Sequence, residues 1–280
     1  MSNLMGMLTT IQSYVWGPPT LLLLIGTGLY FTIKLRGLQI AKFPFAVKTI
    51  FEKESGTGSG EGDVSAFATL CTTMAADIGT GSIVGVATAL RIGGPGSLFW
   101  MWISAILGMV TKYSESLLAV KYRVTDENNQ MAGGPMFYIQ NGMGERFIWL
   151  AKAFSVFGMC TALFGCGTFP QVNAITESVN VTFRIPIVVA GIIVTVLTAV
   201  VTIGGIKSIS KVAEIVVPIM ALTFFGGSVV ALVINRAAVP GAFKAIFTCA
   251  FAKESVIGGT AGTGVITFMT VMRTGIARGV

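Results

Sequence analysis

The chain has 280 residues, of which 53% are hydrophobic and only 11% charged, with 35 glycines, no histidine and a formal net charge of +7. A soluble domain carries about 25% charged residues, so this composition excludes a water-solvated globule and is better counted in membrane spans of about 20 apolar residues. Without histidine the commonest metal ligand and general base are gone, no nucleophile–base pair or carboxylate dyad replaces them, and the basic residues sit at the ends of apolar runs, not in a stripe that would engage nucleic acid.

The residue pattern predicts seven spans. The first runs from Tyr14 to Ile33. No Lys or Arg precedes Lys34, so this run lacks the charged lead of a signal peptide and reads as a first transmembrane helix. Glu52 to Asp63 (EKESGTGSGEGD) is a flexible, Gly/Ser-rich connector. The second span covers Val64 to Leu90 and the third, after Gly93-Gly94-Pro95-Gly96, covers Ser97 to Val120. Asp126 to Gln130 is a polar turn. The fourth span is Ala153 to Val179, the fifth Ile185 to Ile203 and the sixth Val212 to Ile234. Phe243 to Ala252 is too short to cross and is expected along the outer surface. The seventh begins at Val256 and fades at Arg273. With the N-terminus outside, fourteen of the nineteen Lys and Arg residues fall on the inner side. The positive-inside rule therefore orients the chain N-out and C-in. The four cysteines have neither CxxC nor metal-ligand spacing.

The most informative stretch lies in the middle of the second span: Ala75-Ala76-Asp77-Ile78-Gly79-Thr80-Gly81-Ser82-Ile83-Val84-Gly85. An ionisable residue at membrane depth and clustered glycines both weaken a spanning helix. Unwinding there frees carbonyls on one side and amides on the other, and each needs a partner. A bound cation satisfies the freed carbonyls. A substrate carboxylate satisfies amides at the start of the next half-helix, where the dipole is positive. The competing reading is close helix packing through Gly81 and Gly85, which leaves Asp77, Thr80 and Ser82 unexplained. A similar break is expected in the seventh span, at Ile257-Gly258-Gly259-Thr260-Ala261-Gly262-Thr263-Gly264. Paired broken helices of opposite sense point to an inverted-repeat transporter. In the fourth span, Gln171 can serve a substrate's amine or carboxylate, or make an interhelical hydrogen bond. Lys112 and Glu115 read as a local i,i+3 ion pair, Glu214 as an inner-interface residue and Glu177 as an outer-interface one.

The stretches LCTTMAADIGTGSIVGVATAL, IGGPGSLFWMWISAILGMVTKYSESLLAVKYR, AGGPMFYI, FPQVNAIT, IKSISKVAEIVVPIMAL and IGGTAGTGVITFMTVMRTGIARG run in order through almost the whole chain after residue 65. In them the chain resembles the alanine or glycine:cation symporter family of the amino acid–polyamine–organocation superfamily. The resemblance implies an all-α, LeuT-like inverted-repeat transporter fold, with Na⁺-coupled or H⁺-coupled import of alanine or glycine by alternating access and no other cofactor. It divides the chain into a first helix and cytoplasmic connector (1–63), a first five-helix repeat (64–236) and the start of a second, inverted repeat (237–280), with that repeat mostly missing and the chain expected to be C-terminally truncated. It assigns substrate binding to Gly79, Thr80, Gly81, Ser82, Gln171, Gly259 and Gly262, and Na⁺ to Ala76, Asp77 and Ile78, mainly through backbone carbonyls. Ser82 stands where family members have Asn, and Asp77 where an uncharged residue is expected.

The leading expectation is thus a secondary amino acid symporter in a bacterial or archaeal inner membrane, its partners being the bilayer, the amino acid and Na⁺. Two alternatives stand beside it: a passive channel, which needs a continuous polar pore, and a non-transporting fragment or half-transporter that needs a partner chain.

Overall fold

The computed structural model describes residues 6–7, 10–11, 14–15, 17–51, 65–125, 131–164, 168–251, 254–255 and 266–279. The described chain is almost entirely helical. In order, the elements are α1 (Pro18–Lys34), α2 (Leu38–Ala41), α3 (Phe43–Phe51), α4 (Ala66–Asp77), α5 (Thr80–Gly93), α6 (Gly96–Lys121), β1 (Val124–Thr125), β2 (Met131–Ala132), α7 (Pro135–Met143), α8 (Ile148–Leu163), α9 (Thr168–Phe183), α10 (Ile187–Ile203), α11 (Gly205–Ile234), α12 (Val239–Phe251), β3 (Glu254–Ser255), β4 (Ile266–Thr267) and α13 (Phe268–Gly279). A short 3-10 turn, Glu145–Phe147, leads into α8.

Four stretches are long and apolar enough to cross a membrane: Ala66–Gly93, Gly96–Lys121, Glu145–Phe183 and Gly205–Ile234. Between 6% and 12% of their most apolar windows is buried within the chain. An apolar surface left that open belongs against lipid or further protein, not water. Ile187–Ile203 and Val239–Phe251 are shorter apolar helices. Seven spans were expected; α1 and α10 have 17 residues each, the short end of the crossing range, and their apolar character is as read. The expected fourth span, Ala153–Val179, takes in most of α8 and most of α9, with residues 165–167 outside the described set. The seventh expected span begins in residues 256–265, also outside it.

The chain forms two compact units. The first comprises residues 1–44, 85–113 and 229–280. Within it, α1 starts on Pro18-Pro19, whose fixed φ suits a first turn that has no use for their missing N–H groups. Gly28 lets α1 approach α6: a Cβ there would stand 2.8 Å from Leu107 Cβ. The start of α6 meets α12 in the same way, since a Cβ on Gly96 would stand 2.5 Å from the Cys249 carbonyl oxygen. Beside that contact the Trp100 indole N–H donates to the Ala250 carbonyl at 3.1 Å. Phe99 stacks edge-on with Phe247 and Phe251, and Trp102 lies against Phe243 and Phe247. Gly275 of α13 closes on the Ser97 carbonyl and Trp100 Cβ, and Val271 and Ile276 beside it are fully buried.

The second unit comprises residues 45–84 and 114–228. Its core is a contact between α4 and α11, where Cys71, Ala213 and Val217 are buried and Phe67, Met74 and Met220 pack around them. A two-residue ladder pairs β1 with β2 antiparallel, Val124 opposite Ala132. The turn from α9 to α10 is held by the Asn180 side-chain amide, which donates to the Ile185 carbonyl at 2.8 Å, and by Arg184 in the left-handed region, φ 58°.

Candidate functional site

The helix broken near mid-span is present. Ser65 caps α4, its hydroxyl accepting from the Ala68 N–H at 3.1 Å, and α4 then runs to Asp77. The chain leaves helical geometry at Ile78, φ −96° and ψ 67°, and α5 begins at Thr80. The Ile78 N–H still donates to the Met74 carbonyl at 2.8 Å, the last bond of α4. On the other side the N–H groups of Ser82 and Ile83 both converge on the Gly79 carbonyl, at 3.1 and 3.2 Å. Gly79 therefore serves as the backbone cap of α5, and the interruption is confined to Ile78 and Gly79. Since α4 has 12 residues and α5 has 14, at about 1.5 Å per residue the break sits near the centre of the crossing.

The break is stitched by one side chain. The Ser82 hydroxyl donates to the Asp77 carbonyl at 2.7 Å. A carbonyl oxygen has two lone pairs, so this hydroxyl does not by itself saturate the Asp77 carbonyl. Sequence reasoning gave Ser82 to the substrate and the Asp77 carbonyl to the cation, and the structure brings the two together. Asn in that place would put an amide, a longer donor, across the same gap. Ala75, Ala76 and Asp77 are exposed and Ile78 and Gly79 half-buried, so this stretch of backbone is open to a ligand. Among the described residues no three His, Cys, Asp or Glu side chains converge on a metal position. The donors available for a cation here are carbonyl oxygens and the single Asp77 carboxylate.

Gln171 lies in the first turn of α9, exposed, in the same compact unit as Ala76 to Ser82. Gly259 and Gly262, and with them the second expected break, lie outside the described residues. One feature was missed by sequence reading: the half-helix α4 is held against α11 at Cys71, which is buried together with Ala213 and Val217. Glu214, expected at the inner interface, follows Ala213 on α11, next in sequence to that contact. The contact's signal was the spacing of Ser210, Ala213 and Val217, all buried on one face of α11. Pro218 inside α11 has no N–H to offer the Glu214 carbonyl four residues back.

The model of the sodium:alanine symporter family matches residues 1–280. The chain belongs to that family. It is 51% identical over 273 residues to an uncharacterized transporter of Haemophilus influenzae, covering 98% of this chain and 58% of the relative. It is 42% identical over 266 residues to the sodium/alanine symporter AgcS of Methanococcus maripaludis, covering 94% and 58%. With the probable sodium/glutamine symporter GlnT of Bacillus subtilis it shares 32% over 253 residues, covering 90% and 52%. The chain thus spans a little over half the length of the curated relatives it matches. Family and helices together make it a multi-pass membrane protein of a transporter family, not an enzyme.

Proposed function

We propose that this protein is a secondary active symporter that imports a small neutral amino acid, alanine or glycine, together with Na⁺ by alternating access. The observation that carries the reading is the break at Ile78–Gly79, with its hydroxyl-bridged carbonyl and open backbone near mid-span. In this reading the carbonyls of Ala76, Asp77 and Ile78 take the Na⁺. The amino acid's carboxylate lies at the start of α5, among Gly79, Thr80, Gly81 and Ser82, where the helix dipole favours an anion. Gln171 serves the other end of the substrate. Residues 64–236 form the first repeat and 237–280 open the second. The N-terminus lies outside, on the charge asymmetry of the loops. The names of relatives support the chemistry: one is a sodium/alanine symporter and another a probable sodium/glutamine symporter.

Coupling follows if Na⁺ and amino acid each bind one arrangement of the broken helix better than the other, since a ligand shifts an equilibrium only by its differential affinity. The test is uptake of radiolabelled alanine by vesicles holding the complete gene product. An imposed inward Na⁺ gradient is expected to drive accumulation above the external concentration, and dissipating it to abolish accumulation. Equilibration without concentration would indicate a passive pore and overturn the reading.

A further inference from the structure

The corner that leads from α7 into α8 carries charge that the chain itself leaves unanswered. The chain turns at Gly144, φ 87°, and enters the 3-10 turn Glu145–Phe147, which the Ile148 N–H closes by donating to the Glu145 carbonyl. Side chains three apart eclipse in such a turn, so Arg146 stands in line with Trp149, and Glu145 with Ile148. Ile148 is half-buried, Ala151 is buried, and the Ser155 hydroxyl donates to the Ala151 carbonyl at 3.0 Å. That side of α8 is closed.

A different side stays open. Trp149, Lys152, Val156 and Leu163 recur at i, i+3, i+7 and i+14 and share one stripe of the helix. Trp149 is exposed by 66%, Val156 by 52% and Leu163 by 76%, and Arg146 and Lys152 are exposed too. Among the described residues the side chains of Arg146, Trp149 and Lys152 make no hydrogen bond, ion pair or ring contact, and Glu145 pairs with neither cation. Arg146 and Lys152 lie about 9 Å apart along the axis, with Trp149 midway. From Lys152 the open stripe runs on to Leu163, about 16 Å further, close to the depth of one leaflet of a hydrocarbon core about 30 Å thick. Two unpaired cations bracket an amphipathic ring, and an apolar track follows them. A phospholipid has the same order, anionic headgroup first and acyl chain after. A second copy of this face is a poor occupant, because it would set cation against cation.

We propose that the start of α8 is a binding site for one anionic phospholipid. Arg146 and Lys152 hold the headgroup phosphate, the arginine through its planar fork of donors. The Trp149 indole N–H serves the oxygen atoms beneath it, and one acyl chain lies along Val156 and Leu163. The site rests on the chain's being a membrane protein, not on which solute it carries.

The test uses the complete gene product in nanodiscs of equal phosphatidylcholine and phosphatidylglycerol. A photoreactive benzophenone is introduced as Val156→p-benzoylphenylalanine and, in a separate protein, as Val196→p-benzoylphenylalanine on α10, where Val196 is 56% exposed. Adduct masses after irradiation report what touches each position. The two cations are expected to favour phosphatidylglycerol at Val156 roughly thirtyfold, at about fivefold each, while Val196 labels both lipids alike. The preference is expected to fall to parity in Arg146→Gln/Lys152→Gln and to shrink at high salt. Equal labelling of the two lipids at Val156 would overturn the proposal, as would a preference that survives the double substitution or is undiminished by salt. Adducts at Val156 with a peptide of the protein itself would mean that protein covers the stripe, and would overturn it too. So would the absence of lipid adducts at Val156 while Val196 gives them.

Discussion

Two neighbouring spans of nearly the same length and hydropathy behave differently. Ala66–Gly93 has 28 residues and is broken in the middle; Gly96–Lys121 has 26, is about as apolar, and is one continuous helix. Glycine alone does not decide this, because Gly108 lies inside α6 with no atom near its missing Cβ and the helix runs on. What the first span adds is Gly79 and Gly81 interleaved with Asp77, Thr80 and Ser82. Short polar side chains offer the backbone local hydrogen bonds that compete with the helix, and the Ser82 hydroxyl on the Asp77 carbonyl is one. Composition sets whether a segment enters the membrane; clustering of small and polar residues sets where it breaks.

That contrast can be tested by substitution, beginning where the effect is largest. In the complete protein, Thr80→Val or Gln171→Ala is expected to abolish saturable alanine uptake while the protein still elutes as a folded species. Uptake at the unaltered level in either variant removes that residue from the site. Gly96→Ala drives a methyl group into the backbone at Cys249 and Ala250; overpacking of this kind costs about 1–3 kcal/mol, read as a lowered melting temperature in detergent. Ser82→Ala takes away the hydroxyl that bridges the break and is expected to cost about 1 kcal/mol, with a larger effect on Na⁺ dependence than on melting; a change in melting alone would make the bridge merely structural. Gly108→Ala, in open space on the continuous helix, is expected to be neutral or to stabilise by up to about 1 kcal/mol. A clear loss of stability there would mean that α6 relies on glycine as α5 does.

The break was legible in the sequence because its cause is local. The end of α4 at Asp77 and the start of α5 at Thr80 follow from residues within four positions of Gly79. Helix α12 begins at Val239, earlier than its aromatic residues suggest, with Pro240 in its first turn as helix starts allow. The contacts that matter most inside each unit were not legible. Trp100 reaches Ala250, 150 residues away, and α4 meets α11 at Cys71, because such pairings depend on which helix faces fit, not on the order of residues along either one.

The central claim is that amino acid and Na⁺ meet at the interrupted span. Its most direct test is equilibrium binding of labelled alanine to the purified complete protein, with Na⁺ and with choline in its place, for the unaltered chain and Thr80→Val. The account predicts saturable binding that Na⁺ strengthens and that Thr80→Val removes. Binding of equal affinity in choline, or undiminished in Thr80→Val, would contradict it.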